Sequence, residues 1–228
     1  MIKDFNFDSI QIKIPKRLAN SHKGSFGKVL VLGGSDGMGG AAILSSEASL
    51  FCGSGLVHLH THPNNVEASL KRNPEVMALG INDDYEIPND MDIILCGPGL
   101  KNDDWSYGVY EKVVSKDGEH MLILDAGALH FLYKSYEDSQ IIDKHLILTP
   151  HPGEASVLLD VTIDEVQADR SNAAKEISKK YNADVILKGN RTIVFSKLNE
   201  RSVLCNEGGP ELSTGGTGDV LAGIISSL

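Results

Sequence analysis

The sequence KVLVLGG at residues 28–34 decides the fold class. It is a short run of Val and Leu that ends in two glycines, a composition typical of a strand buried on both faces. The following residues 40–51, GAAILSSEASLF, have the small and apolar composition of a closely packed helix. A strand, a glycine turn and a helix in this order predict one βα unit.

Further apolar runs indicate that this unit is repeated along the chain. They are GLVHLHT, MDIILCG, HMLILDA, KHLILTP, DVILKG and TIVFS. Segments of helical spacing lie between several of these runs, including residues 162–181, which begin with a capping box of Thr162 and Glu165, and the tail at residues 217–228. We therefore expect an α/β fold with a mainly parallel central sheet flanked by helices, forming a single domain over residues 1–228.

Composition and charge exclude several classes of protein. The chain has 21 Lys and Arg against 31 Asp and Glu, a net charge of −10 that repels polyanions, so we expect no nucleic-acid partner. It has no long apolar span and no secretory leader, which predicts a soluble cytoplasmic protein without membrane contact. The three cysteines are widely separated and are interpreted as buried, reduced thiols.

Parallel sheets bind ligands beyond the carboxyl ends of their strands, so the residues that end each run are the candidate site. These ends carry glycine pairs, a carboxylate, a histidine and a lysine, at residues 33–35, Thr61, residues 97–99, Asp125, residues 149–154 and residues 188–189. Such a set at one rim predicts a site for a large polar ligand.

The most informative motif is STGGTGDVL at residues 213–221, a glycine run that leads into a helix. Successive backbone N–H groups at such a turn attract an anion, and the anion predicted here is a phosphoryl group in transfer. Asp219, in the first turn, could take a proton from an attacking hydroxyl. The alternative is that this carboxylate only complements the helix dipole.

Two other motifs carry weaker signals. The glycines at residues 33–40 match neither the dinucleotide fingerprint nor the P-loop, which disfavours both classical nucleotide folds. His58, His60 and His62 alternate along a predicted strand and could share one face. A zinc site is one interpretation of the three histidines, and packed or exposed neutral rings are the other.

Eight motifs, in order, resemble the ADP- or ATP-dependent (S)-NAD(P)H-hydrate dehydratases of the ribokinase-like superfamily. They are HKGSFGKVLVLGGS, GGAAILSSEASLFCGSGLV, RNPEVM, GPGL, DAGAL, LTPHPGE, ILKG and STGGTGDVLAGI. The resemblance runs from about residue 15 to residue 228. It implies a ribokinase-like fold whose last C-terminal helical layer is missing from this chain.

The resemblance also implies an activity and a set of site residues. Members of the family restore NADH or NADPH from (6S)-NADHX or NADPHX by phosphorylating the ring hydroxyl with ADP or ATP and then eliminating phosphate. Asp219 would be the catalytic base, and the hydrate would be bound by Ala41, Gly99, His151 and Asp219. The nucleotide would be bound by Lys188, Gly189, Asn190, Arg191, Thr192 and Gly218. Asp125 and Glu154 would help to hold Mg²⁺, directly or through water, and the family often forms homo-oligomers such as tetramers.

Three departures from the family pattern bear on the function. Lys101 follows GPGL where glycine is frequent, GGPEL at residues 208–212 replaces a more usual asparagine, proline, glycine and methionine run, and the last helical layer is expected to be missing. One alternative is a ribokinase-like kinase that phosphorylates a small alcohol with the same aspartate and anion-binding turn. The other, motivated by the missing layer, is a nucleotide-binding remnant without catalysis.

Overall fold

The computed structural model describes residues 3–5, 16–137, 142 and 144–228. Among these residues, ten strands form one sheet in the order β1-β10-β9-β8-β7-β6-β5-β2-β3-β4. The strands are β1 (Lys3–Phe5), β2 (Lys28–Leu32), β3 (Leu56–Thr61), β4 (Met77–Gly80), β5 (Ile93–Cys96), β6 (Met121–Leu124), β7 (Leu146–Leu148), β8 (Ala183–Leu187), β9 (Ile193–Ser196) and β10 (Arg201–Cys205).

The sheet is mainly parallel, as predicted. The seven strands from β8 to β4 in this order all run the same way, whereas β9 is antiparallel to both β8 and β10. All seven apolar runs identified in the sequence form strands. Since β2 pairs with β3 on one side and β5 on the other, the chain reverses its direction of growth at β2. The ligand crevice of an open α/β sheet lies at such a reversal.

Helices cover both faces of the sheet. They are α1 (Gly39–Phe51), α2 (Val66–Arg72), α3 (Asp104–Val114), α4 (Gly127–Glu137), α5 (Pro152–Leu159), α6 (Ile163–Ala168), α7 (Arg170–Tyr181) and α8 (Thr217–Ile225). Alternate residues of β2 point to opposite sides: Val29 and Val31 pack with α1 and α8, and Leu30 and Leu32 belong to the larger core beneath α3, α4, α5 and α7.

The sequence-based prediction of one helix over residues 162–181 was wrong. The capping box of Thr162 and Glu165 is present, but the helix breaks at Asp169, whose backbone leaves the helical region at φ −145° and ψ 79°. The Asp169 side chain instead accepts a hydrogen bond from the Asn172 N–H and so begins α7. Aspartate competes in this way with helix continuation, which explains the break.

The cysteine prediction was only partly right. Within the described ranges all three cysteines are free, and Cys96 is buried, but Cys52 is exposed at the end of α1. No helix of the described chain is long and apolar enough to cross a bilayer.

Helix α8 lies directly against α1 because Gly223 has no side chain. A Cβ at this position would stand 2.1 Å from the Ser45 carbonyl oxygen and 2.8 Å from the Ala48 Cβ. We therefore expect Gly223→Ala to separate the two helices and to lower the free energy of unfolding by about 2 kcal/mol. Urea denaturation measures this change.

Gly108 in α3 is the matched control, because a Cβ there would meet no atom within 4 Å. Gly108→Ala should raise the free energy of unfolding by up to about 1 kcal/mol, since alanine favours the helix. Equal effects of the two substitutions would contradict this account of the α1–α8 contact.

Candidate active site

The loops that follow β2 and β5 are joined to each other at the rim of the sheet. The Gly34 N–H donates to the Pro98 carbonyl oxygen at 2.8 Å, and the Ser35 N–H donates to the Gly99 carbonyl oxygen at 2.9 Å. Gly99 adopts φ +72°, and a Cβ there would lie 2.4 Å from the Met38 carbonyl oxygen and 3.2 Å from the Ala41 Cβ. Ala41 and Gly99 are therefore neighbours in the packed loops at the end of the sheet, where Gly99 is buried and Ala41 is half-buried.

The N-terminus of α8 is fixed against α1. Gly216 precedes the helix at φ 93°, and no side chain caps the first turn. The Ser45 hydroxyl of α1 lies 2.9 Å from the Asp219 carbonyl oxygen and 3.2 Å from that of Ala41, and it donates its single proton between them. Because the first amides of an uncapped helix are unpaired, this terminus is suited to an anion.

Asp219 lies in the first turn of α8 and is half-buried. Burial raises the pKa of its carboxyl, the nearby charge of Asp125 raises it further, and the Lys188 ammonium opposes both effects. A carboxylate with a raised pKa accepts a proton more readily than an exposed one, which suits a general base.

Lys188, at the end of β8, is the central cation of the rim. Its Nζ lies 2.6 Å from Asp125 Oδ1 and 3.7 Å from Glu154 Oε2. A Cβ on Gly218 would lie 3.5 Å from the same Nζ, so the ammonium also reaches the first turn of α8. One positive charge therefore connects the two carboxylates with the anion-binding turn.

The two carboxylates partnered by Lys188 have different environments. The side chain of Asp125 is 2% exposed, and its Oδ1 also accepts a hydrogen bond from the Thr149 hydroxyl at 2.7 Å. Glu154 Oε2 accepts the His151 backbone N–H at 2.7 Å. Burial raises the pKa of Glu154, and Lys188 counteracts this shift.

His151 caps α5 through its imidazole. Nδ1 accepts the backbone N–H groups of Gly153 at 3.0 Å and Glu154 at 3.2 Å, so the neutral ring carries its proton on Nε2. That Nε2 lies 3.4 Å from Glu154 Oε1, and the side chain is 56% exposed. The His151 Nε2–H can therefore donate to the Glu154 carboxylate or to a ligand on the solvent-exposed side of the ring.

The segment predicted to bind the nucleotide, residues 188–192, turns away from the sheet after Lys188. The Thr192 hydroxyl donates to the Gly189 carbonyl oxygen at 3.0 Å, which closes the turn. Gly189, Asn190 and Arg191 are exposed, and Arg191 Nε donates to Asn206 Oδ1 at 3.1 Å. Within this segment, Lys188 is the residue that contacts Asp125 and Glu154. The contacts of the described residues do not bring Asn190 or Arg191 to Asp219.

Sequence reasoning missed two residues that support the site. They are Ser45 between α1 and α8, and Arg170, which donates to the carbonyl oxygens of Leu187 at 3.1 Å and Lys188 at 3.2 Å. Thr149, which lies in the predicted stretch 149–154, bonds to Asp125. Ser45 and Arg170 lie inside helices, where nothing in the local pattern marks them.

His58 and His60 of β3 and His62, which directly follows the strand, do not act together. His60 is buried and bonded to the Tyr85 hydroxyl, and burial lowers the pKa of its ring to about 4. His62 instead lies 3.7 Å from Asp36 and packs edge-on against Trp105. The described residues contain no group of three or more His, Cys, Asp or Glu side chains arranged to hold a metal, which leaves the zinc interpretation without support.

Comparison with known proteins places this geometry in a family. A family model described as NAD(P)H-hydrate dehydratase matches residues 29–228. The ADP-dependent (S)-NAD(P)H-hydrate dehydratase of Neisseria meningitidis is 38% identical over 216 residues, which are 93% of this chain and 72% of that protein. The bifunctional NAD(P)H-hydrate repair enzyme of Coxiella burnetii is 40% identical over 218 residues, 94% of this chain but only 43% of the relative.

A solved structure agrees with the fold. The ADP/ATP-dependent NAD(P)H-hydrate dehydratase of Bacillus subtilis, co-crystallised with ATP/Mg²⁺, superposes with a TM-score of 0.80 at 31% identity, over 92% of this chain and 74% of that one. The predicted ribokinase-like fold, a mostly parallel sheet with flanking helices, is thereby confirmed. This chain belongs to the NAD(P)H-hydrate dehydratase family.

Proposed function

We propose that this chain restores reduced nicotinamide cofactors from (6S)-NADHX or NADPHX, using ADP or ATP to turn the ring hydroxyl into a leaving group. The observation that carries the proposal is the half-buried Asp219 carboxylate in the first turn of an uncapped helix, with the Lys188 ammonium beside that turn. A base, an anion-binding turn and a fixed cation are the parts that phosphoryl transfer requires.

The hydrate ring would lie beside half-buried Ala41 and its neighbour Gly99, where small or absent side chains leave room for a flat ring near the loop backbone. Its hydroxyl would face Asp219, and the His151 Nε2–H would donate to a polar group of the ring or its carboxamide. In this arrangement the base and the hydroxyl are held in place before the nucleotide reacts, which removes an entropic cost from the chemical step.

The first step transfers the terminal phosphoryl group. The ring hydroxyl oxygen attacks phosphorus, Asp219 takes the hydroxyl proton, and AMP or ADP leaves. The amides at the start of α8, with Gly218 among them, and the Lys188 ammonium would stabilise the charge on the phosphoryl oxygens. In the second step the carbon–oxygen bond breaks, inorganic phosphate departs, and the neighbouring ring carbon gives a proton to the departing phosphate or to water, which restores the double bond.

The nucleotide would be bound by the segment that includes Lys188, Gly189, Asn190, Arg191 and Thr192. We also propose Asp125 and Glu154 as the residues that assist Mg²⁺. Their carboxylate oxygens are hard donors, and Mg²⁺ commonly takes one or two carboxylates together with substrate phosphates, so the residues fit the ion. Bound there, the ion would offset phosphate charge. The predicted homo-oligomer and cytoplasmic location stay predictions.

Incubation of the purified chain with the hydrate, Mg²⁺ and each nucleotide tests the proposal. We expect the absorbance of the reduced nicotinamide ring to recover with ADP or ATP and not without nucleotide. A sugar or other small alcohol offered in place of the hydrate should yield no phosphate ester. A stable ester with no recovery of NADH would favour the alternative kinase, and nucleotide binding without turnover of either substrate would favour a non-catalytic protein.

A further inference from the structure

A cleft of about 370 Å³ adjoins the proposed ring site on the side of β5 and β6. It is lined by Leu100, Lys101, Asn102, Gly127, His130 and Phe131. Leu100 directly follows Gly99, and Gly127 lies two residues beyond Asp125, so the cleft is continuous with two loops of the site. Its volume is within the range of small-molecule sites, and nothing in the reaction described above uses it.

The walls of the cleft combine apolar and cationic groups. Leu100 and Phe131 are buried and form its base, and His130 is half-buried beside Phe131 with ring centroids 6.2 Å apart. Lys101 is exposed at the rim, and Lys134 is anchored near the same rim by a 3.1 Å hydrogen bond to Asn102. The rim therefore carries two ammonium groups, and the carboxylates of Asp36 and Asp103 lie near enough to Lys101 to interact with its charge.

The Lys101 backbone N–H is within hydrogen-bond distance of two hydroxyl groups, and the Lys101 ammonium group has more N–H donors than its one hydrogen bond uses. Its N–H lies 3.0 Å from the Ser35 hydroxyl and 3.2 Å from the Ser106 hydroxyl, which themselves form a 2.7 Å hydrogen bond. The Nζ donates to the Asp36 carbonyl oxygen. An ammonium has three N–H donors, so a phosphate can be bound without breaking that contact.

We propose that this cleft binds the adenosine phosphate half of the hydrated dinucleotide, the part that does not react. The base would pack on Leu100 and Phe131, and a phosphate would lie against Lys101 and Lys134. The proposal rests on the function proposed above. ADP carries the same adenosine phosphate chemistry, but the lysine and glycine turn at residues 188–192 lies on the other side of Asp125, so we assign the cleft to the dinucleotide.

Steady-state kinetics with a truncated substrate tests this assignment. The hydrate of reduced nicotinamide mononucleotide contains the reacting ring and lacks the adenosine phosphate. We expect its KM to exceed that of NADHX by about tenfold or more in the wild-type protein, since a charge-assisted phosphate contact is lost. Lys101→Met should raise the KM for NADHX by about tenfold and leave the KM values for the truncated hydrate and for ADP within twofold of wild type.

His130→Trp, which fills part of the cleft, should produce the same selective rise. Lys71→Met is the matched control, because Lys71 is an exposed lysine on α2 that pairs only across the surface with Glu67, and it should change no KM. Unchanged thermal midpoints would show that the variants fold. Equal shifts for both hydrates, a shift in the KM for ADP, or no shift at all would overturn the assignment.

Calorimetry separates failure of this inference from failure of the proposed function. NADH, the product, and reduced nicotinamide mononucleotide are titrated into wild-type and Lys101→Met protein without a nucleotide. NADH should bind the variant about tenfold more weakly, and the mononucleotide should bind both proteins equally. This result would support the cleft even if neither hydrate were turned over, and equal NADH affinities would refute it even if both were.

Discussion

Asp219→Asn should lower kcat for the nucleotide-dependent dehydration by about a hundredfold or more. The amide has the size of the carboxylate but cannot take a proton from the ring hydroxyl, and general-base catalysis contributes about that factor. The substitution removes a half-buried charge next to Asp125, so the protein should stay folded and its KM for the nucleotide should change little. Initial rates of NADH formation at saturating hydrate measure the effect.

The alternative reading of Asp219, a residue that only complements the helix dipole, predicts a different result. Loss of such a charge costs about 0.3–1 kcal/mol of stability and no chemistry. Asp164, an exposed acid in the first turn of α6, is the matched control, and Asp164→Asn should leave kcat unchanged. A rate for Asp219→Asn within about threefold of wild type would rule out general-base catalysis by this carboxylate.

Lys188→Met should have the second-largest effect, and on two properties. The side chain is 16% exposed and neutralises Asp125, which is 2% exposed, so its loss leaves a buried carboxylate unpaired and should lower the free energy of unfolding by about 3 kcal/mol. The phosphoryl oxygens lose a fixed positive charge, which should lower kcat by about a hundredfold. Chemical denaturation and initial rates report the two losses separately.

A second substitution distinguishes these losses. In Lys188→Met combined with Asp125→Asn, the more deeply buried of the two carboxylates is uncharged and its Asn oxygen can still accept from Thr149, so stability should recover part of the way towards wild type. The rate should not recover. Lys71→Met, which breaks an exposed pair, should change stability by less than about 0.5 kcal/mol. Wild-type kcat in the double variant would show that Lys188 supports only the fold.

Much of the sheet was predictable because buried parallel strands are continuous apolar runs of four to six residues. The three missed strands lack that signal: β1 has only three residues, β4 at the sheet edge exposes Met77 and Leu79, and β10 begins with Arg201 and Ser202. The break at Asp169 was also missed, because the apolar spacing of residues 162–181 continues across it. A single side chain that bonds to the backbone outweighed that spacing.

The site could be predicted in composition but not in arrangement. Glycines, a carboxylate, a histidine and a lysine at strand ends marked the rim, and the eight motifs indicated which residues to examine. The contact of the Ser45 hydroxyl with the Asp219 carbonyl joins residues 174 positions apart, and the Asp125 to Lys188 pair spans 63. Such pairs follow from how helices and strands pack, which no local pattern contains.

The fate of the hydroxyl oxygen tests the central claim most directly. NADHX prepared in water labelled with oxygen-18 carries the heavy atom in its ring hydroxyl. If the hydroxyl attacks the nucleotide and leaves as phosphate, mass spectrometry should find one heavy atom in each inorganic phosphate formed per NADH. Heavy oxygen in water, with unlabelled phosphate, would contradict the account.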